Sequence, residues 1–290
     1  MEPVVETLDA VPGLLPVFAT SVLGGKRTGD VLPARTLRLA GHRVEREQLR
    51  RYEEVCGYKN AEALPHTYPH VVGFPLQMTL MARRDFPLPL AGLVHVENVI
   101  TAHRAIDFTE VLDISVTADA LRPHPKGRVV DLVTEVDVAG ERVWKGRSTY
   151  LARGRGEQEA ERGDAPPAMP VGPRGPAAAV WRLPGDLGRT YGLVSGDVNP
   201  IHLSGLTAKA MGFQRAIAHG MWTYARTLAA LGPRAEGAAT SHVWFKKPVL
   251  LPGSVELVVG RSADQVVAGL RSARTRTTEH VVLTLDAPFA

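Results

Sequence analysis

Two rounds of the same hydrophobic pattern run along the chain. From residue 36 to 44, apolar and polar residues alternate loosely, the period-two signature of a half-buried strand. A polar helical pattern occupies about 46–58. A Pro/His-rich loop then leads into the apolar stretch 73–82, GFPLQMTLMA, which reads as a helix. Strands are predicted at 93–103, 111–121, 129–138 and 142–152, and Val138-Ala139-Gly140-Glu141-Arg142 is a hairpin turn joining the last two. The second round begins with a short strand, Ala179–Leu183. A loop over Tyr191 to His202 and a helix over Gly220–Leu231 follow. Strands at 239–248, 254–261, 266–277 and 280–286 complete it, with Pro252-Gly253 as a turn between two of them.

One apolar helix followed by several antiparallel strands is an α+β unit whose sheet wraps a helix. Two such units in tandem indicate an internal duplication. The parallel is clearest after each main helix, where 103–111 and 245–254 both run from a strand end through basic residues and a bend into an alternating strand. Between the rounds, Pro, Gly and charge displace any apolar period, as in an extended linker. The expected organisation is a first unit at 1–152, a linker at 153–177 and a second unit at 178–290.

Composition narrows the function classes. With 290 residues, 44% apolar and 22% charged, the chain is globular with ample core material. A net charge of +4 suits anionic partners such as nucleotide-bearing thioesters or acidic carrier proteins. The arginines are dispersed, without the aromatic-interleaved basic tract of single-strand binders, so no nucleic acid is expected. The single cysteine, Cys56, excludes an internal disulfide and a Cys-based metal site, and reads as a small half-buried residue. The acidic start Met1-Glu2-Pro3-Val4-Val5-Glu6-Thr7 lacks a positive n-region, and no apolar run is long enough to span a bilayer. A cytoplasmic protein without a membrane partner is the resulting expectation.

The chemistry concentrates in two segments. Asp197-Val198-Asn199-Pro200-Ile201-His202 packs a carboxylate, an amide and an imidazole into six residues, with Pro200 holding Asn199 extended. Asp197 and His202 could share general acid/base work on one water. Neither Ser195 nor Ser204 sits in a nucleophile elbow. His219 and His242 complete no recognised metal-ligand spacing, so no metal or cofactor is expected. An Asx turn carrying a surface histidine accounts equally well for the same letters. Downstream, Ala218-His219-Gly220-Met221-Trp222 reads as a loop entering a helix. The Gly220 N–H at a helix N-terminus could receive a carbonyl oxygen that gains charge, although an ordinary helix start reads the same way.

The segment Tyr191-Gly192-Leu193-Val194-Ser195-Gly196-Asp197-Val198-Asn199-Pro200-Ile201-His202 resembles the signature of the MaoC-like (R)-specific enoyl-CoA hydratase/dehydratase family. Ala208-Lys209-Ala210-Met211-Gly212-Phe213 and Ala216-Ile217-Ala218-His219-Gly220-Met221 continue it in order, and the clear match spans roughly 181 to 252. The resemblance implies a tandem hot dog, each half a long helix wrapped by an antiparallel sheet. It implies hydration or dehydration of trans-2-enoyl and (3R)-3-hydroxyacyl thioesters of CoA or acyl carrier protein. Asp197 and His202 would be the catalytic pair and the Gly220 backbone N–H the oxyanion donor. Asn199, Ser195 and Gly196 would support the loop; Tyr191, His219, Met221, Phe245 and Lys246 would contact substrate. A homodimer is compatible with this reading.

The corresponding first-half region, Tyr52 to His70, has no Asp-x-Asn-Pro-x-His, so one active site per chain is expected. That half would supply part of the acyl tunnel and the pantetheine cleft, with Tyr58 to His70 free to shift and enlarge the tunnel. His66 and His70 read there as surface or lining residues. Arg83, Arg84, Lys246 and Lys247 are candidates to meet phosphates. Two alternatives stand beside this reading. A hot-dog thioesterase would use a carboxylate on the long helix, and Gly220–Leu231 carries none; the other alternative is a non-catalytic acyl-thioester binding module.

Overall fold

The structure is a computed structural model, and it describes residues 4–14, 17, 29–59, 62–156, 169–261 and 265–286. The first half contains β1 (Val4–Leu8), β2 (Arg35–Arg43), α1 (Arg46–Cys56), α2 (Tyr68–Ala82), β3 (Leu93–Ala102), β4 (Val111–His124), β5 (Gly127–Val138) and β6 (Glu141–Arg153). The second contains β7 (Ala179–Leu183), α3 (Leu187–Ser195), α4 (Pro200–Leu203), α5 (Gly205–Ala210), α6 (Gly220–Leu231), a 3-10 turn at Pro233–Ala235, β8 (Ala239–Phe245), β9 (Gly253–Arg261), β10 (Val266–Ser272) and β11 (Glu279–Asp286).

Among the described residues, eleven strands form one sheet, in the order β1-β2-β4-β5-β6-β3-β8-β11-β10-β9-β7. Without β1, the order is the same twice about the central β3–β8 pair: β2-β4-β5-β6-β3 mirrors β7-β9-β10-β11-β8. This is a tandem hot dog, with α2 and α6 as the wrapped helices. The halves join antiparallel, Asn98 opposite Val243 and Ile100 opposite Ser241. The hairpin predicted between β5 and β6 forms, with Ala139 and Gly140 both at positive φ (50° and 84°). Such a turn matches the right-handed strand twist.

The burial of α2 follows from its sequence. It is apolar on nearly every side, which suits a helix enclosed on every side, and all its residues except Thr79 and Ala82 are buried. Pro75 lies inside it and removes one backbone donor; Thr79 Oγ1 donates to the Pro75 carbonyl at 2.8 Å. Leu76, Leu80 and Met81 are completely buried, each worth about 1.5–3 kcal/mol of transfer free energy.

The structure departs from the sequence reading at several places. After β7, the stretch read as a loop is largely helical: Tyr191 to Ser195 belong to α3, and His202 lies on the short α4. The helix α2 starts at Tyr68, within the stretch read as a loop. Cys56 is completely buried, because it sits on the inward face of α1 with Leu49, Tyr52 and Glu53. The segment from 62 to 70 is pinned: Leu64 N–H donates to Ile106 O at 2.8 Å and Phe108 N–H to Glu62 O at 2.9 Å. Of the two readings offered for His66 and His70, surface or lining, burial to 4% and 3% exposure excludes the surface one, and His70 lines a cavity. β1, unpredicted, pairs parallel with β2, and its Glu6 meets Arg35 at 3.0 Å and also Arg83. Of the expected linker, residues 157–168 lie outside the described residues.

Candidate active site

Local chain geometry builds the site from three helix termini. Helix α3 ends at Gly196 in the left-handed region (φ 74°), whose N–H closes on Gly192 O at 2.9 Å. The reversal puts Asp197 immediately after the cap. Ser195 Oγ donates to Tyr191 O at 2.9 Å and accepts from Asp197 N–H at 3.2 Å. Asp197 Oδ1 accepts from Asn199 N–H at 3.2 Å. Asn199 caps α4, its Oδ1 accepting from Ile201 N–H at 3.3 Å, and Pro200 fills the first helical position. One turn of α4 then carries His202 back to Asp197. Gly188 of α3 makes this possible, because the His202 carbonyl lies where its side chain would be.

The third terminus is α6. His219 occupies its N-cap with extended backbone, and Gly220 begins the helix. A Cβ on Gly220 would lie 3.1 Å from the Phe245 ring. The His219 Nε2–H donates to the Asp197 backbone carbonyl at 2.9 Å. Its ring stacks on His202 at 3.6 Å between centroids and lies 4.9 Å from Tyr191. The His202 Nδ1–H donates to Ile217 O at 2.8 Å. That bond sets the tautomer and leaves Nε2 with a lone pair, the form a general base needs.

Asp197, His202 and His219 offer side-chain atoms that all lie within 4.8 Å of one another. They are the residues that could hold a metal ion among the described residues, although His219 Nε2 and His202 Nδ1 already serve carbonyls. Burial raises the Asp197 carboxyl above its usual range, opposed by His202 and the Asn199 N–H. Burial lowers the His202 imidazole, opposed by Asp197 and the Ile217 carbonyl. His219 is lowered well below the usual imidazole range, first by burial and then by His202. The affinities of acid and base therefore converge, which favours a proton passing between carboxylate and imidazole.

A cavity of about 860 Å³ opens beside this group. Every residue expected to act in catalysis, support the loop or contact substrate lines it except Gly196, whose part is the turn. Of the phosphate candidates, Lys247 and Lys246 line it, the latter paired with Glu279; Arg83, which pairs with Glu6, and Arg84 do not. The first half contributes Phe74, Met78 and Met81 from one face of α2, and His70, His95 and Tyr150 nearer the polar end. His95 and Tyr150 were not singled out from the sequence. They stand on β3 and β6, far from any motif, and only the sheet order brings them to the cavity.

The MaoC like domain family matches residues 182–282. The 3-hydroxyacyl-thioester dehydratase X of Mycobacterium tuberculosis is 37% identical over 252 residues, which cover 87% of this chain and 86% of that protein. The chain belongs to the MaoC-like family. The crystal structure of that M. tuberculosis protein, HtdX, superposes with a TM-score of 0.76 at 33% identity, covering 87% of this MaoC-like chain and all (100%) of the other. A MaoC-like dehydratase from Phytophthora capsici shares the fold, with a TM-score of 0.71 at 17% identity over 87% of this chain and 94% of its own.

Proposed function

We propose that this MaoC-like chain is a hydro-lyase that interconverts trans-2-enoyl and (3R)-3-hydroxyacyl thioesters, carried by CoA or acyl carrier protein. The observation that carries the reading is the pairing of Asp197 with a tautomer-fixed His202 on the wall of a large cavity, beside the N-terminus of α6. In hydration, the two side chains hold one water, deliver its hydroxyl to C3 and return a proton to C2. In dehydration, they take the C2 proton and protonate the departing C3 hydroxyl. The Gly220 N–H and the α6 dipole stabilise the enolate oxygen as charge develops.

One site per chain follows from the internal symmetry. Helices α1 and α3 hold equivalent positions, and each ends on a left-handed glycine with φ 74°, Gly57 and Gly196. Five residues earlier stand Tyr52 and Tyr191, whose rings meet at 6.1 Å. The residue after Gly57 is Tyr58, in the place of Asp197. A phenol that burial pushes above its usual range cannot replace a carboxylate there. In this division residues 178–290 are catalytic and 1–152 shape the acyl cavity, and Lys247, with Lys246 beside it on Glu279, would meet phosphate.

Incubation with a trans-2-enoyl-CoA tests the proposal. Loss of the conjugated-thioester absorbance without release of free CoA is the expected result. Release of CoA would make the protein a thioesterase, and no change across chain lengths would leave it a binding module.

A further inference from the structure

The first-half wall of the cavity carries an uncharged polar cluster that the reaction above does not use. His70, in the first turn of α2, is 3% exposed. Its ring lies 5.9 Å from that of His95, nearly parallel at 18°. His95 stacks on Tyr150 at 4.7 Å and meets Phe245 edge-on at 5.1 Å. Phe245 in turn touches the Gly220 position. The cluster thus borders the reaction centre.

A second layer holds these rings in place. The Tyr150 hydroxyl donates to Gln77 Oε1 at 2.9 Å, and Gln77 Nε2 donates to Thr134 Oγ1 at 2.9 Å. Asn98 Nδ2 donates to Ser148 Oγ at 2.9 Å, and Ser148 Oγ lies 3.5 Å from His70 Nδ1. His70 Nε2 has no hydrogen-bond partner among the described residues, and the residue lines the cavity. Burial lowers His70 to about 4 and His95 well below the usual range, so both rings are neutral near pH 7. A neutral imidazole presents either a lone pair or an N–H. A hydrocarbon laid against it leaves that group unsatisfied, whereas a ligand oxygen satisfies it.

We propose that His70, framed by His95 and Tyr150, is a hydrogen-bonding subsite for an uncharged oxygen of the thioester substrate. The oxygen is a hydroxyl or carbonyl on the acyl chain, or the amide of the thioester arm. This inference rests on the hydro-lyase reading of the same cavity.

The test compares matched substrates on wild type, His70→Phe and His70→Asn. One set is trans-2-enoyl-CoA of a single chain length, unsubstituted or with a hydroxyl at successive positions from C5 outward. The other pairs trans-2-enoyl thioesters of N-acetylcysteamine and of pentanethiol, which lacks the amide. Wild type should favour the oxygen-bearing member of one set by roughly tenfold in kcat/KM, the contribution of one uncharged hydrogen bond. His70→Phe, which keeps a stacked ring, should bring that ratio close to one, and His70→Asn should restore part of it. The set that responds identifies the source of the oxygen. Ratios near one in wild type, or ratios equal in wild type and His70→Phe, overturn the subsite. Absence of turnover of every enoyl thioester by wild type overturns the hydro-lyase reading instead.

Discussion

Gly188 offers a sharp test of how α3 places His202. A Cβ added there would lie 1.9 Å from the His202 carbonyl oxygen, and Cβ contacts under 3.0 Å are essentially never found. Relief therefore requires at least 1.1 Å of relative movement between α3 and α4, the helix that carries His202. Helix propensity alone favours alanine over glycine by about 1 kcal/mol. Overpacking a close backbone contact costs about 1–3 kcal/mol, so the clash wins. A 1 Å misplacement of a reacting group lowers rate by roughly 100-fold. Gly188→Ala should lower kcat/KM for a trans-2-enoyl-CoA by about that factor, with a fall in Tm of a few degrees (about 2–4 °C per kcal/mol at this size). Gly205→Ala is the control, since its added Cβ meets nothing within 4 Å. Gly188→Ala with kcat/KM within threefold of wild type and an unchanged Tm would refute the argument that this close approach positions His202.

Two further outcomes follow from the buried histidines. His219→Leu removes the bond to the Asp197 carbonyl and the ring stacked on His202. Its kcat should fall roughly 10- to 100-fold with little change in KM, and His219→Gln, which retains an N–H, should recover part of the loss; a change confined to KM would make it a substrate contact. His66 and His70 are both lowered by burial to about 4, against about 6.5 in the unfolded chain. The unfolded state takes up these protons first, so stability is complete above about pH 6.5, declines as pH falls, and levels off near 4. Between pH 7 and pH 5 each should cost about 2 kcal/mol, seen as a lower urea midpoint; a midpoint that holds constant across that range would contradict their burial as neutral rings.

Much of the architecture was legible because period and punctuation agreed. Helix α6 has the predicted bounds, between His219 as extended N-cap and Gly232 at the far end. The strands lie within a few residues of their predicted positions; the prediction overruns β8 at 246–248 and β10 at 273–277, where the alternation continues into turns, and stops short of the end of β4 at 122–124. Helix α3 was missed although Asp186 precedes it and Gly196 caps it, because its nine residues include two glycines and only a short apolar face. Pairing of distant strands has no local signature, so the joining of β3 to β8 and the place of β1 could not be read. For the same reason the motif residues were visible as letters, whereas His95, Tyr150 and the Ile217 carbonyl became site features only in three dimensions.

The account depends most on Asp197 and His202 acting together on a thioester. The direct measurement is kcat for hydration of a trans-2-enoyl-CoA by Asp197→Asn and His202→Gln, each shown by circular dichroism to be folded. General acid/base groups contribute about 10²- to 10⁴-fold, and each variant should lose activity in that range. The double variant should be little worse than either single one, as for residues that act as a unit. Near wild-type turnover by either single variant would contradict the account.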